Sequence, residues 1–148
     1  MNHLPEQTAL GYIEGDEGWR TNIYNIPIVG ASDGGAFTTV HDLATLRTAF
    51  WRHEILPEAL VELYTTPYIH AETHDEYTRY YGHGLWIDET ARGGRDVYIR
   101  GGDAGVSFES SVNPANGLQV TVISNTTDGT WSVLGTIYTA VQELITPA

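Results

Sequence analysis

Several groups in this 148-residue chain have residue types and spacings that could do chemistry. Arg100-Gly101-Gly102-Asp103 places a cation, two glycines and a carboxylate at the end of a β-type run, Asp96–Arg100, before a turn that closes at Gly105. Glycines at a strand edge mark a bulge or a point where a ligand approaches the backbone. A guanidinium there can draw in a carboxylate, and an uncrowded edge can pair with an extended substrate. Asp103 is close enough in sequence to pair with Arg100 and blunt its charge. His70 and His74, with Glu72, Asp75 and Glu76, form the other cluster of interest. Two imidazoles four apart chelate a metal when a helix puts them on one face. This stretch follows Pro67 and lacks an apolar helical period, so a solvated loop is expected and no metal is assigned. His83, between Gly82 and Gly84, is expected on the solvent or cleft side. Asp33 before Gly34-Gly35 reads as a turn residue.

Two absences narrow the chemistry further. The chain has no cysteine, which excludes disulfides and thiolate nucleophiles. All seven basic residues are arginine, and lysine does not occur. A net charge of −12 argues against nucleic acid as a partner, since phosphate contacts need clustered cations. No apolar run approaches the roughly 20 residues of a membrane span, and no secretory leader is readable, so the default expectation is cytoplasmic with no membrane contact. No cofactor is implied. Apolar content of 41%, with 16 Gly and 9 Tyr, describes a β-containing globular chain of one domain.

The elements that must position these residues centre on Tyr98–Asn125. Runs over Gly105–Asn113 and Leu118–Asn125 flank Pro114-Ala115-Asn116-Gly117, where Asn-Gly is a reversal signal. With Asp96–Arg100 they predict an antiparallel meander. In Gly105–Asn113, Ser107 and Glu109 alternate with Val106 and Phe108, which predicts one wet face. Upstream, residues 1–38 read as extended and looped, with strand-like pieces at Leu10–Ile13 and Asn22–Ile26. Thr39 with Asp42 resembles a capping box opening a helix over Val40–His53, with Leu43, Leu46, Phe50 and His53 on one face. A short helix near Pro57 carries Leu60, Val61 and Tyr64 inward. Tyr68–Tyr80 is polar and reads as a loop. Strands resume at Tyr81–Ile87, and a helix over Trp131–Ile145 presents Val133, Leu134, Ile137, Val141, Leu144 and Ile145 as one stripe. The predicted class is α+β: helices within 39–66, a sheet of about four strands within 81–125, and a closing helix at 131–145.

Taken together these motifs resemble a known family. A basic residue with Gly-Gly at 100–102, a strand ending Asn113-Pro114 and another ending Ile123-Ser124-Asn125 resemble the C-terminal part of serine β-lactamase-like proteins. That family includes penicillin-binding DD-peptidases, class C β-lactamases and related esterases. Asp33-Gly34-Gly35-Ala36-Phe37-Thr38-Thr39 with His41-Asp42-Leu43, and Tyr81-Gly82-His83-Gly84-Leu85-Trp86, fit in the family's order. The resemblance implies acyl transfer by a Ser-x-x-Lys nucleophile, a Tyr-x-Asn or Ser-x-Asn middle motif, and a Lys/His-Thr/Ser-Gly motif on a sheet edge. Without lysine the first cannot exist here. Ser111-Val112-Asn113 matches the second in letters only, since it ends a sheet strand before a turn. The third has a counterpart in Arg100-Gly101-Gly102, with Arg for the usual cation and Gly101 for the hydroxyl-bearing residue. The N–H of Asp103 would match the sheet-side oxyanion donor.

Two functional readings follow. In one, the chain is the C-terminal portion of a serine hydrolase and is inactive alone; in the other, it is a stand-alone binding domain derived from that fold. Either would take a small-molecule or peptide ligand at the sheet edge. The last strand, apolar on both faces, predicts an open edge, and a homodimer is expected through that edge or through the C-terminal helix.

Overall fold

The computed structural model describes residues 6–27, 29–91 and 93–145, with side chains through Val141. Readings that fall on Met1–Pro5, Ile28 and Arg92, and on the side chains of Leu144 and Ile145, lie outside these residues. In chain order the elements are β1 (Tyr12–Gly15), β2 (Gly18–Thr21), α1 (Val40–Trp51), α2 (Glu58–Tyr64), β3 (Ile69–Thr73), β4 (Tyr77–Tyr81), β5 (Trp86–Thr90), β6 (Arg95–Asp103), β7 (Val106–Val112), β8 (Gln119–Ser124) and α3 (Gly129–Ile145). β1 and β2 form a hairpin; the other strands form a six-stranded antiparallel sheet in the order β3-β4-β5-β6-β7-β8. The α+β class with a closing helix stands. The meander is longer than the four strands predicted, because pairing begins at Ile69 and not at Tyr81.

The chain divides into two compact units. One comprises Thr39–Arg100 with Glu109–Thr121; the other comprises the segment through Thr38, Gly101–Phe108 and the segment from Val122.

In the Thr39–Arg100 unit, α1 begins as predicted. The Thr39 hydroxyl accepts from the Asp42 N–H at 3.1 Å, and the Asp42 carboxylate accepts from the Thr39 N–H at 3.3 Å. This reciprocal box satisfies two N–H groups that the helix itself cannot bond. The buried face of α1 differs from the predicted one: Leu43 and Arg47 are buried and Phe50 and Trp51 half-buried, while Leu46 and His53 are exposed. The face is rotated by about one residue because Arg47 turns inward to donate to the Val97 carbonyl on β6. Burial lowers the Arg47 pKa to about 10. The core beneath is Leu85, Ile87 and Val97, packed by Phe50, Trp51, Tyr80 and Ile99. Ile87 and Val97 are fully enclosed, which contributes on the order of 2 kcal/mol each from apolar burial.

Tyr68–Tyr80, predicted as a loop, is instead the β3–β4 hairpin. β3 carries an insertion: His70 pairs with Tyr80, and Glu72 pairs with Arg79, leaving Ala71 as the extra residue. Such a bulge shifts every later side chain to the other face. It therefore moves Glu72 onto the face that bears Arg79.

At the far end of the sheet, the Asn-Gly reversal forms as predicted. Gly117 has φ 73° and its N–H donates to the Asn113 carbonyl at 2.8 Å.

In the other unit, residues 1–38 are not purely looped, since β1 and β2 pair from Tyr12↔Thr21 to Gly15↔Gly18. The predicted strand pieces at Leu10–Ile13 and Asn22–Ile26 were thus displaced around the Gly15–Gly18 turn. Buried Asn22 accepts from the Gly11 N–H at 3.2 Å and donates to the Ala104 carbonyl at 3.1 Å. It fixes the turn between β6 and β7. α3 opens at Gly129, two residues earlier than predicted. Its Thr130 hydroxyl donates to the Ser107 carbonyl at 2.8 Å, and the Thr130 N–H donates to the Ser107 hydroxyl at 3.2 Å. Ser107 and Thr130 are both fully buried. The predicted wet face of β7 is buried at Ser107 and Glu109, and the opposite face is exposed at Val106 but buried at Ser110 and Val112. Hydroxyl and carboxylate groups with partners can line an interior, and alternation alone does not say which side is wet.

Candidate functional site

β6 is the strand that carries the predicted site. Its register with β5 runs from Glu89↔Arg95 to Trp86↔Tyr98, and β6 then continues through Ile99–Asp103. The four predicted residues lie on that continuation.

Arg100 shares a face with Tyr98, two positions earlier, and its guanidinium sits 4.7 Å from the Tyr98 ring centroid. Its Nη2 is 2.8 Å from Oε2 of Glu109 on β7. The Glu109 side chain is only 3% exposed and that of Arg100 36% exposed. A buried carboxylate thus anchors a half-open cation, and the aromatic face fixes its plane.

Gly101 explains one departure from the family pattern. A Cβ built there would lie 2.8 Å from Cε1 of Phe108, closer than side chains tolerate. The Phe108 ring fills the space that a hydroxyl-bearing residue would need. At Gly102 a Cβ would make ordinary contact, 3.6 Å from the Trp131 ring. Asp103 is exposed and accepts from the Ala104 N–H at 2.7 Å, which closes a local turn.

A second cluster was not singled out from the sequence, and the sheet register assembles it. Paired positions put Glu72, Arg79, Asp88 and Asp96 in one row across β3 to β6. Beside it, Ile69, Tyr81, Trp86 and Tyr98 form a second row on the same face. Arg79 donates through Nε and Nη2 to the two Asp88 oxygens at 2.8 and 2.9 Å, and through Nη1 to Glu72. The Tyr98 phenol donates to Asp88 at 3.2 Å.

The electrostatic consequences follow from these contacts. The hydrogen bonds to Asp88 hold Arg79 further above its ordinary pKa. Burial, and then the Asp88 charge, push the Tyr98 phenol well up. Asp96 is raised by burial against the lowering effect of the Asn113 amide. For Glu72, desolvation is the largest single effect and works upward, but the Arg79 and His74 charges and their bonds together carry the net shift downward. An open depression of ≈ 330 Å³ is bounded by Ala71, Glu72, Arg79, Trp86 and Arg100.

The remaining candidates are dispersed. His70 bonds to the Thr73 hydroxyl at 2.9 Å, and His74 lies 3.3 Å from Glu72 on the β3–β4 hairpin. Exposed His83 sits beside the Tyr64 and Tyr68 rings. Ser111 is buried on β7, and Asn113 donates to Asp96 at 3.0 Å. Cross-strand neighbours such as Arg79 and Asp88 leave no local sequence signal, since they lie nine positions apart in an unrecognised hairpin. The Tyr77-Thr78-Arg79-Tyr80-Tyr81 run, rich in β-favouring residues, was the signal available for β4.

No protein-family model and no curated protein matches the chain. Among solved structures, a penicillin binding protein from Bacillus halodurans superposes with a TM-score of 0.85 and 37% identity, over 93% of this chain and 41% of that one. A D-stereospecific amidohydrolase from Streptomyces sp. superposes with a TM-score of 0.66 and 23% identity, over 84% of this chain and 36% of that one. The chain therefore has the β-lactamase-like and penicillin-binding-protein-like serine hydrolase fold. It corresponds to the C-terminal part of that fold and spans about two fifths of the length of these solved relatives.

Proposed function

We propose that this chain is the C-terminal portion of a β-lactamase-like serine hydrolase that transfers or hydrolyses the acyl group of a β-lactam, peptide or ester. The reading assigns the chain the sheet-edge half of the active site and assigns the nucleophile to sequence beyond these residues. The observation that carries it is the 37% identity over nearly the whole chain against two fifths of a penicillin binding protein, in a sequence that has no lysine. A Ser-x-x-Lys pair cannot be built from these residues, so acylation by that mechanism needs a lysine from elsewhere.

On this reading β6 presents an edge from Ile99 to Asp103. Gly102 allows close approach of a substrate backbone, and the Asp103 N–H serves as an oxyanion donor. Arg100 is a positioned hydrogen-bond donor, since Glu109 already balances its charge. The same portion pairs with a second copy through β8 or α3. β8 ends the strand order, and Ile123, Trp131 and Val133 are exposed.

The test is to sequence the reading frame around this segment, express the longer protein and measure nitrocefin and p-nitrophenyl ester hydrolysis. Hydrolysis that depends on a serine within an upstream Ser-x-x-Lys supports the reading. A frame with no such motif overturns it in favour of a non-catalytic binding domain, whose open edge would still take an extended peptide.

A further inference from the structure

We propose that the depression bounded by Ala71, Glu72, Arg79, Trp86 and Arg100 binds an organic ammonium cation, with Glu72 as the counter-charge and the Trp86 indole as its apolar wall. This goes beyond the hydrolase reading and needs no nucleophile, although Arg100 of the β6 edge lines the depression.

The sign of the ligand follows from the charges already committed. Two guanidinium groups line the depression, which at first suggests an anion. Arg79, however, spends most of its N–H donors on Asp88, Glu72 and the Tyr77 hydroxyl. Arg100 is held by Glu109. Against these two guanidinium groups stand four carboxylates, Glu72, Asp88, Asp96 and Glu109, with the His74 imidazole 3.3 Å from Glu72, so carboxylates outnumber guanidinium groups in the cluster.

Accessibility then selects the contact. The side chain of Glu72 is 45% exposed, while those of Asp88 and Glu109 are 16% and 3% exposed. An entering anion would meet guanidinium groups that are already answered and a carboxylate that repels it. An entering cation would meet an exposed carboxylate that already carries the Arg79 bond and lies 3.3 Å from His74.

Trp86 supplies the second recognition element. Its ring is half-buried and braced edge-on by Tyr81 at 4.7 Å. Indole is the best aromatic partner for a cation and also covers an alkyl chain. The net charge of −12 raises the local concentration of cations around the whole chain. The ≈ 330 Å³ available suits an alkylammonium group and not a polymer.

The experiment titrates the chain with n-butylammonium, butyrate and n-butanol at low salt, following the Trp86 indole and Arg79 Nε–H signals by NMR. Butylammonium is expected to saturate at about 1–10 mM, with butyrate and butanol at least about tenfold weaker. Glu72→Gln should weaken butylammonium at least about tenfold, while Glu76→Gln, in the exposed turn beyond β3, should leave it unchanged. Butyrate binding as tightly as the amine, unsaturable shifts spread over the acidic surface, or unchanged binding in Glu72→Gln would each overturn the proposal. The comparison of the three probes on the unaltered chain stands whatever the variants do to folding.

Discussion

Arg79 on β4 and Asp88 on β5 face each other across paired strands, joined by two parallel N–H···O bonds of 2.8 and 2.9 Å. The flat guanidinium fork matches the carboxylate, and both side chains are about 15% exposed. Removing one member of a buried pair strands the other charge, which costs several kcal/mol. Here Glu72 remains to hold Arg79, so the cost is reduced. Asp88→Asn is expected to lower stability by roughly 2 kcal/mol, read as a shift in the urea midpoint. An unchanged midpoint would show that the pair contributes nothing.

Asp96 gives a pH signature of the opposite sign to an ordinary salt bridge. Its folded-state pKa is raised by burial, above an unfolded value of about 3.9. The folded state therefore bears a cost whenever Asp96 is ionised. That cost is present at neutral pH and is relieved as pH falls through the folded pKa. Asp96→Asn keeps an oxygen for the Asn113 amide and removes the charge. It should stabilise the chain at neutral pH and abolish this acid-side gain, followed by denaturant melts from neutral to about pH 4. A neutral-pH loss of stability in the variant would contradict the assignment.

How much of this was legible in the sequence varied with the kind of signal. Local signals read true for the Thr39/Asp42 box, the Asn116-Gly117 reversal and the existence of α3, which depend on residues a few positions apart, although Val133 of the predicted α3 stripe is exposed. The β3–β4 hairpin was hidden because the Ala71 insertion breaks the two-residue period and one face is charged. The inward turn of Arg47 was illegible for a related reason, since its partner is a backbone carbonyl on β6. The glycines marked Arg100–Asp103 as a strand end, but Glu109 was taken for a solvent-facing residue. Only the 2.8 Å contact shows that the strand turns this carboxylate toward Arg100.

Gly101 and Phe108 make a paired test of the departure from the family pattern. Gly101→Ser places a Cβ 2.8 Å from the Phe108 ring and should destabilise by about 1–3 kcal/mol. Adding Phe108→Ala should make the Gly101→Ser step nearly neutral, although the truncation itself costs stability. A full, unrelieved penalty in the double variant would mean that the ring is not what excludes the side chain.

The proposed self-association rests on the end position of β8 among the described strands of its sheet, where Tyr12 meets only the continuation at Asn125 and Thr126. An uncovered strand edge is a template for another chain. Sedimentation equilibrium across a concentration series should show mass rising from 16.3 kDa toward twice that value. A constant 16.3 kDa at high concentration would mean that the edge is protected.

The central claim is that these residues supply the sheet-edge half of an acyl-transfer site and not its nucleophile. The most direct measurement is intact-mass spectrometry of the chain after incubation with a β-lactam and with an activated ester. The account predicts the unmodified mass and no hydrolysis above background, because no serine has a lysine to activate it. A stoichiometric acyl adduct on any serine of this chain would contradict it.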